Sequence, residues 1–297
     1  MNQTSSNTEM LKPEVSAFFD KQTATFFYVV KDPMSPACAV IDSVMELDYP
    51  SGTITFKGAD AIIAHIKDRN LDLQWLIETH VHADHLSAAP YIQEQLGGKL
   101  AIGDKINIVQ EVFGKIFNAG TEFARDGSQF YHLFTDGEEY NIGKLKCKAI
   151  HTPGHTPACM THVIGDAAFV GDTIFMPDVG TARADFPGGN ARTLFKSIKA
   201  LMSLPADTRL FMCHDYPENR AVEYLTTVAD ELKNNIHVHE GVAEDEFVKR
   251  REARDATLAM PNLILPSLQV NMRAGHMPPK DDNGMVYFRI PVNAFKH

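Results

Sequence analysis

Short apolar runs alternate with segments of helical apolar periodicity along most of this chain. β-Branched and aromatic residues predict strands from Glu14 onward, at 23–30 and 37–41, and an apolar run predicts a buried strand at 73–77. Further strands are predicted at 100–102, 140–151, 160–164, 167–171 and 209–213. Helices are predicted at 61–67 (with Asp60 as the cap), 87–96, 106–117, 192–204, 219–233 and 245–259. Interleaved strands and helices indicate a layered α/β fold.

The same pattern divides the chain into three predicted regions. Residues 1–10 are polar, and residues 1–13 are predicted to be a flexible tail. Residues 14–235 are predicted to form the main domain. Residues 236–297 are predicted to be a helical and loop extension that packs on this domain.

Composition narrows the function classes. The net charge of −10 argues against binding to a phosphate backbone, so no nucleic-acid partner is expected. No run approaches the roughly 20 apolar residues of a membrane span, so no membrane association is expected. The four cysteines show no pairing pattern, which favours a reduced, cytoplasmic setting.

The candidate chemistry is concentrated in the segment Thr79-His80-Val81-His82-Ala83-Asp84-His85, directly after the predicted 73–77 strand. Imidazole and carboxylate are the usual ligands of zinc and non-haem iron. In an extended segment His80 and His82 would point to the same side, with Asp84 and His85 on the following turn. This spacing predicts a metal site at the end of the strand.

Three further segments carry ligand-type residues. His155 lies on the turn Thr152-Pro153-Gly154-His155, and Asp172 and His214 each follow a predicted strand. Taken singly, Asp172 is equally compatible with a helix cap and His214 with a hydrogen-bonded core histidine. The repetition of strand followed by ligand favours one metal centre.

In order, THVHADH, TPGH, the GD of FVGDTIF and the histidine of CHDY resemble the metal motifs of the metallo-β-lactamase superfamily. Within it, GTARADF (180–186) and NMRAG (271–275) resemble the persulfide dioxygenase family. The resemblance implies the αββα sandwich, with a small C-terminal extension in this chain.

The resemblance leaves two metal arrangements open. In hydrolytic members His80, His82 and His155 would hold one ion, and Asp84, His85 and His214 a second, with Asp172 bridging two Zn(II). In persulfide dioxygenases His80, His155 and Asp172 would hold one Fe(II). His82, Asp84, His85 and His214 would then surround the iron or form an unused second site.

The resemblance also implies the reaction and its partners. A persulfide dioxygenase oxidises glutathione persulfide, or a similar low-molecular-weight persulfide, with O2 to sulfite and thiol. Arg183 and Arg273 are candidates for binding the substrate carboxylates, with structural salt bridges as the alternative. Tyr216 and Asp84 are the candidate catalytic residues beside the iron. A homodimer is compatible with the family.

Two other functions share these motifs. A glyoxalase II-like dinuclear hydrolase of glutathione thioesters has the same metal ligands, and only GTARADF and NMRAG favour the dioxygenase over it. A non-catalytic metal-holding module is the second alternative. The flavodiiron proteins are its precedent, although their motif places Glu where this chain has His82.

Overall fold

The first half of the chain builds a six-stranded mixed sheet in the order β1-β2-β3-β6-β8-β9. The computed structural model describes residues 11–294. The strands of this sheet are β1 (Glu14–Asp20), β2 (Thr25–Lys31), β3 (Ala37–Ile41), β6 (Asp72–Ile77), β8 (Lys99–Gly103) and β9 (His132–Phe134). A small sheet beside it contains β4 (Val44–Asp48), β5 (Thr53–Thr55) and β7 (Leu86–Ser87). Strands β3, β6, β8 and β9 run parallel, so residues that follow β3 and β6 emerge at one edge.

The second half builds another six-stranded sheet, in the chain order β10 to β15. Its strands are β10 (Glu139–Ile142), β11 (Leu145–His151), β12 (Met160–Ile164), β13 (Ala167–Phe169), β14 (Arg209–Phe211) and β15 (Leu225–Thr227). Within this sheet, as far as the structure describes it, only β13 and β14 pair in parallel. The two large sheets pack face to face around a core that includes Tyr28, Ile77, Phe134, Phe169 and Phe211.

Helices cover the outer faces of both sheets. They are α1 (Lys57–Asp68), α2 (Ala89–Leu96), α3 (Ile106–Ile116), α4 (Ala191–Leu201), α5 (Val228–Asn234), α6 (Glu244–Asp255) and α7 (Ile264–Asn271). A second core lies between the first sheet and α1, α2, α3 and α7. A third joins the second sheet to α4 and α6. The predicted αββα sandwich is confirmed. Within residues 11–294, no helix combines the length and apolar character needed to cross a bilayer.

Several predicted boundaries need correction. The 140–151 strand is a hairpin, because Gly143 adopts φ of 56° between β10 and β11. Residues 219–224 of the predicted 219–233 helix are not helical, and residues 225–227 form β15, which pairs with β14. Thr227 then caps α5 through its side chain. Asp60 lies inside the first turn of α1 and does not cap it.

The described residues at both ends of the chain pack against the domain. Residues 1–10 of the predicted flexible tail lie outside the described part. Residues 11–13 pack against the domain, since Leu11 joins the inter-sheet core and the carbonyl of Pro13 accepts a bond from Arg209. The C-terminal region packs on the domain through α6 and α7, as its apolar residues join two of the cores.

Candidate metal centre

The loop after β6 carries the first ligand motif and is held by a buried carboxylate. Asp42, which follows β3, accepts bonds from the backbone N–H of Thr79 (2.7 Å) and from its hydroxyl (2.9 Å). The carbonyl of Thr79 in turn accepts a bond from the N–H of Met160, at the start of β12. The loop is therefore anchored to both large sheets.

His80, His155 and Asp172 converge at this edge of the sandwich. One ligand atom from each lies within 4.8 Å of the others. The Nε2 atoms of His80 and His155 lie 4.0 and 3.5 Å from Asp172 Oδ2. Their Nδ1 atoms have other partners, the Thr79 hydroxyl at 3.0 Å and the Arg183 carbonyl at 2.8 Å. The bond to a carbonyl fixes the tautomer of His155, so its Nε2 is available as a ligand. Burial, followed by the neighbouring imidazoles, lowers the pKa of His80 well below its usual value, which keeps that ring neutral.

Two glycines allow this convergence. Gly154 has φ of 140°, and a Cβ there would lie 2.3 Å from the Cα of Leu194. Gly171 has φ of 50°, and a Cβ there would lie 2.6 Å from the hydroxyl of Thr79. The glycines of TPGH and GD therefore let two ligand loops approach their neighbours closely.

Asp84, His85 and His214 lie on the other side of Asp172. His214 Nε2 is 3.3 Å from Asp172 Oδ1 and 3.4 Å from Asp84 Oδ2. The hydroxyl of Thr25 lies 3.5 Å from His85 Nδ1 and 3.3 Å from His214 Nδ1. Burial alone would raise the pKa of Asp84, but the adjacent His214 and His85 outweigh it and hold that pKa well below its usual value. Asp84 is therefore an ionised carboxylate.

His82 differs from the other histidines of its motif. Its Nε2 lies 3.0 Å from Asp42 Oδ1 and 3.4 Å from Glu78 Oε2. Burial lowers the pKa of His82, but these two carboxylates outweigh it and raise the pKa well above its usual value. The rings of His80 and His82 lie 4.0 Å apart, yet their Nε2 atoms face different partners. Among the described residues, His82 groups with Asp42 and Glu78 or with Asp84 and His85, and not with the cluster at Asp172.

Several buried ligand atoms in this region have no hydrogen-bond partner among residues 11–294. They are His80 Nε2, His82 Nδ1, His85 Nε2, His214 Nε2 and Asp172 Oδ1. Unpartnered buried polar atoms are rare and costly, and a metal ion would satisfy them. Two imidazoles and one carboxylate with open positions suit non-haem Fe(II), and the full set of imidazoles and carboxylates also suits Zn(II). The residues present therefore fit a transition metal.

A cavity of about 770 Å³ leads to the centre. Its lining includes His155, Asp172 and Asp84, with Phe175 and Phe186 as apolar walls. The ring of Tyr216 also lines it and stacks on His214 with an interplanar angle of 15°. Partial burial, followed by the charges of Asp84 and Asp172, raises the pKa of Tyr216, so its phenol stays protonated.

The two arginines predicted to bind substrate occupy different places. Arg183 lines the cavity, but its guanidinium forms a two-fold ion pair with Asp185 and donates to the carbonyl of Ala259. Arg273 lies outside the cavity lining, where it donates to the carbonyl of Gln269 and covers the ring of Phe123. Of the two arginines predicted to bind substrate, only Arg183 therefore lines the cavity. Its guanidinium is already engaged in a structural ion pair.

Sequence reasoning missed three residues here. Asp42 and Glu78 are not part of any metal-binding motif, although each directly follows a predicted strand. Arg254, near the end of α6, lines the cavity, and its guanidinium makes no hydrogen bond or ion pair within residues 11–294. Arg254 follows the charged residues 249–252, a pattern that is typical of a solvated helix face. The sequence therefore did not indicate that its side chain would line a cavity.

Comparisons with known proteins also indicate a metal-binding fold. Residues 25–214 match the family described as the metallo-beta-lactamase superfamily. A "probable metallo-hydrolase" of Burkholderia pseudomallei is 55% identical over 94% of this chain and 99% of its own. "Glyoxylase B2" of Dictyostelium discoideum is 47% identical over 96% of this chain and 99% of its own.

The persulfide dioxygenases are more distant relatives. The human mitochondrial persulfide dioxygenase ETHE1 is 28% identical over 88% of each chain. The crystal structure of ETHE1 from Myxococcus xanthus superposes with a TM-score of 0.71 at 26% identity, covering 89% of this chain and all of its own. The predicted superfamily and the likeness to persulfide dioxygenases are confirmed.

Proposed function

Because this chain belongs to the metallo-β-lactamase superfamily, we propose that it is a persulfide dioxygenase with one iron per chain. His80, His155 and Asp172 hold the iron. The substrate is glutathione persulfide or a similar low-molecular-weight persulfide, which takes up O2 and water and is converted to sulfite and thiol. The proposed setting is the cytoplasm.

The observation that carries this proposal is the composition of the ligand cluster. His80, His155 and Asp172 form a group of three, while His82 faces Asp42 and Glu78. A dinuclear hydrolase would need His82 as a further ligand of the first ion. Its Nδ1 atom has no hydrogen-bond partner among the described residues, but neither ring nitrogen of His82 groups with the cluster at Asp172. A group of two imidazoles and one carboxylate instead matches the ligand set of non-haem Fe(II) oxygenases.

Bound iron(II) would supply redox coupling between the persulfide sulfur and O2. The residues of the chain supply the remaining functions. Phe175 and Phe186 present apolar walls that limit access of water to the terminal sulfur. Asp84 is ionised and accepts the proton released when the persulfide binds or when water attacks the oxidised sulfur. The protonated Tyr216 donates a hydrogen bond to a substrate oxygen or sulfur.

Arg254 is the proposed partner of a substrate carboxylate, because it is a cavity cation without an ion pair in the described chain. Arg254→Ala should raise the KM for glutathione persulfide by about 10-fold and leave kcat unchanged. A change of about 10-fold corresponds to the binding free energy that one charge-assisted hydrogen bond contributes. The KM for a persulfide without carboxylates should not change. Arg250→Ala is the matched control, since Arg250 lies on the same helix but pairs with Glu246 and the carbonyl of Ile236. Equal KM values for both variants and the parent protein would remove Arg254 from the substrate site.

A dinuclear thioester hydrolase is the second candidate function. It is favoured by the relative named "Glyoxylase B2" at 47% identity and by the closeness of His214 to Asp172 and Asp84. In that case Asp84, His85 and His214 would hold a second ion, with Asp172 between the two.

The two functions separate in one assay series. Protein purified without oxygen is analysed for iron and zinc, then tested for O2 uptake with glutathione persulfide and for cleavage of a glutathione thioester. The proposal predicts iron, O2 uptake and sulfite, with negligible thioester cleavage. Zinc-containing protein that cleaves the thioester and consumes no O2 would establish the hydrolase.

A further inference from the structure

Asn271, the last residue of α7, reaches beneath the loop that carries the metal ligands. Its side-chain amide donates to the carbonyls of His82 and His85, both at 2.8 Å. Its side-chain oxygen accepts a bond from the backbone N–H of Ser87, also at 2.8 Å. Asn271 is only 5% exposed, so these bonds form away from water. One amide thereby ties down three points of a six-residue stretch of the loop.

The Asn271 contacts continue into the buried carboxylates beside His82. The hydroxyl of Ser87 donates to Glu78 Oε1 at 2.6 Å, and the other oxygen of Glu78 lies 3.4 Å from His82 Nε2. The position of Ser87 therefore affects the orientation of His82 as well as the backbone of the loop. Because these groups are all buried, displacing one leaves its partners unsatisfied.

The turn after Asn271 is built for close approach to the same loop. Gly275 has φ of 83°, and a Cβ there would lie 2.6 Å from Pro90 Cδ and 3.2 Å from the carbonyl of Ser87. Ala274 is also left-handed, with φ of 57°. The NMRAG segment thus packs tightly against residues 87–90, which places the amide of Asn271 at the loop.

We propose that Asn271 is a positioning residue of the metal centre, through which the C-terminal segment controls how tightly the metal is held. Two bonds to the carbonyls of His82 and His85 fix the peptide planes on either side of Asp84 and limit the rotation of the loop. A loop held in its ligating conformation loses less conformational entropy on binding metal. In the one-iron site the ligand affected is His80, which lies two residues before His82 on this loop. In a dinuclear site Asp84 and His85 would be affected as well.

The test compares two buried amides of the same helix. Gln269 is 2% exposed. Among the described residues its side chain bonds only to the carbonyls of Leu265 and Arg289 and to the N–H of Arg289, all within the C-terminal region. Asn271→Ala and Gln269→Ala therefore remove similar numbers of buried hydrogen bonds, but only the first touches the ligand loop. Affinity for Fe(II) and for Co(II) is measured by competition with a chelator, and the melting temperature of the metal-free protein is measured in parallel.

We expect both variants to lower the melting temperature of the metal-free protein. Asn271→Ala should weaken metal affinity by about 10- to 100-fold, the usual effect of losing a group that orients a metal ligand, and should alter the Co(II) absorption spectrum. Gln269→Ala should keep the parent affinity and spectrum. Asn271→Asp is the second variant, since it keeps the shape and the acceptor for Ser87 but loses both donors, and it should show the same loss of affinity. Parent-like affinity in Asn271→Asp, or an equal loss in Gln269→Ala, would overturn the proposal.

Discussion

Replacing His155 by alanine should abolish iron retention and lower persulfide turnover by at least about 1000-fold, equivalent to about 4 kcal/mol of lost transition-state stabilisation. His155 supplies one of only three donors in the proposed iron site, and its Nε2 lies 3.5 Å from Asp172. The measurements are iron content after gel filtration and the initial rate of O2 uptake with glutathione persulfide. The fold should survive, because the ring lies at the cavity and outside the apolar cores.

His85→Ala is the matched control for this prediction. His85 is equally buried and belongs to the same motif set, but it faces Asp84 and Thr25 and lies outside the group of three. A single iron site predicts that this variant keeps one iron and loses no more than about 10- to 100-fold in rate. Equal losses of metal and activity in the two variants would indicate a dinuclear centre.

Lowering the pH from 7 to 4 should destabilise the protein through His162 by about 3 kcal/mol, since one pKa unit corresponds to about 1.4 kcal/mol. His162 is fully buried on β12, and its Nδ1 lies 3.0 Å from the hydroxyl of Tyr140. Its Nε2 has no hydrogen-bond partner in the described part of the chain. Burial lowers its pKa from 6.5 to about 4. The unfolded chain therefore binds this proton more readily than the folded one. The contribution to stability is complete above pH 6.5 and is lost as the pH falls toward 4.

The pH prediction is checked with His162→Gln, which cannot titrate. The free energy of unfolding is measured by urea denaturation of the metal-free proteins between pH 7 and 4. The parent protein should lose about 3 kcal/mol more than the variant over this range. Parallel curves for the two proteins would show that His162 does not carry the acid sensitivity.

Local pattern was enough to predict most of the fold. Strands β3 and β12 have the predicted bounds because apolar and β-branched residues fill both of their faces. The ligand motifs could be found because each follows a strand whose end lies at one edge of the sandwich. β15 was missed because three residues carry little periodicity and this strand forms only by pairing with β14.

The contacts that hold the ligands could not be predicted in the same way. Asn271 is 184 positions from Ser87, and Asp42 is 37 from Thr79, so only the assembled fold brings them together. Arg273 illustrates the opposite error. It lies in the same short motif as Asn271, yet its guanidinium packs on Phe123 while the asparagine points to the ligand loop. A motif shows that a segment matters and leaves open which side chain acts.

The most direct test of a one-iron oxygenase is a titration of the metal-free protein with Fe(II) under anaerobic conditions. At each ratio of iron to protein, the rate of O2 uptake with glutathione persulfide is then measured. The His80, His155 and Asp172 cluster predicts that the rate rises linearly and stops rising at one iron per chain. A rate that keeps rising until two ions are bound, or a protein that consumes no O2 at any iron ratio, would contradict this account.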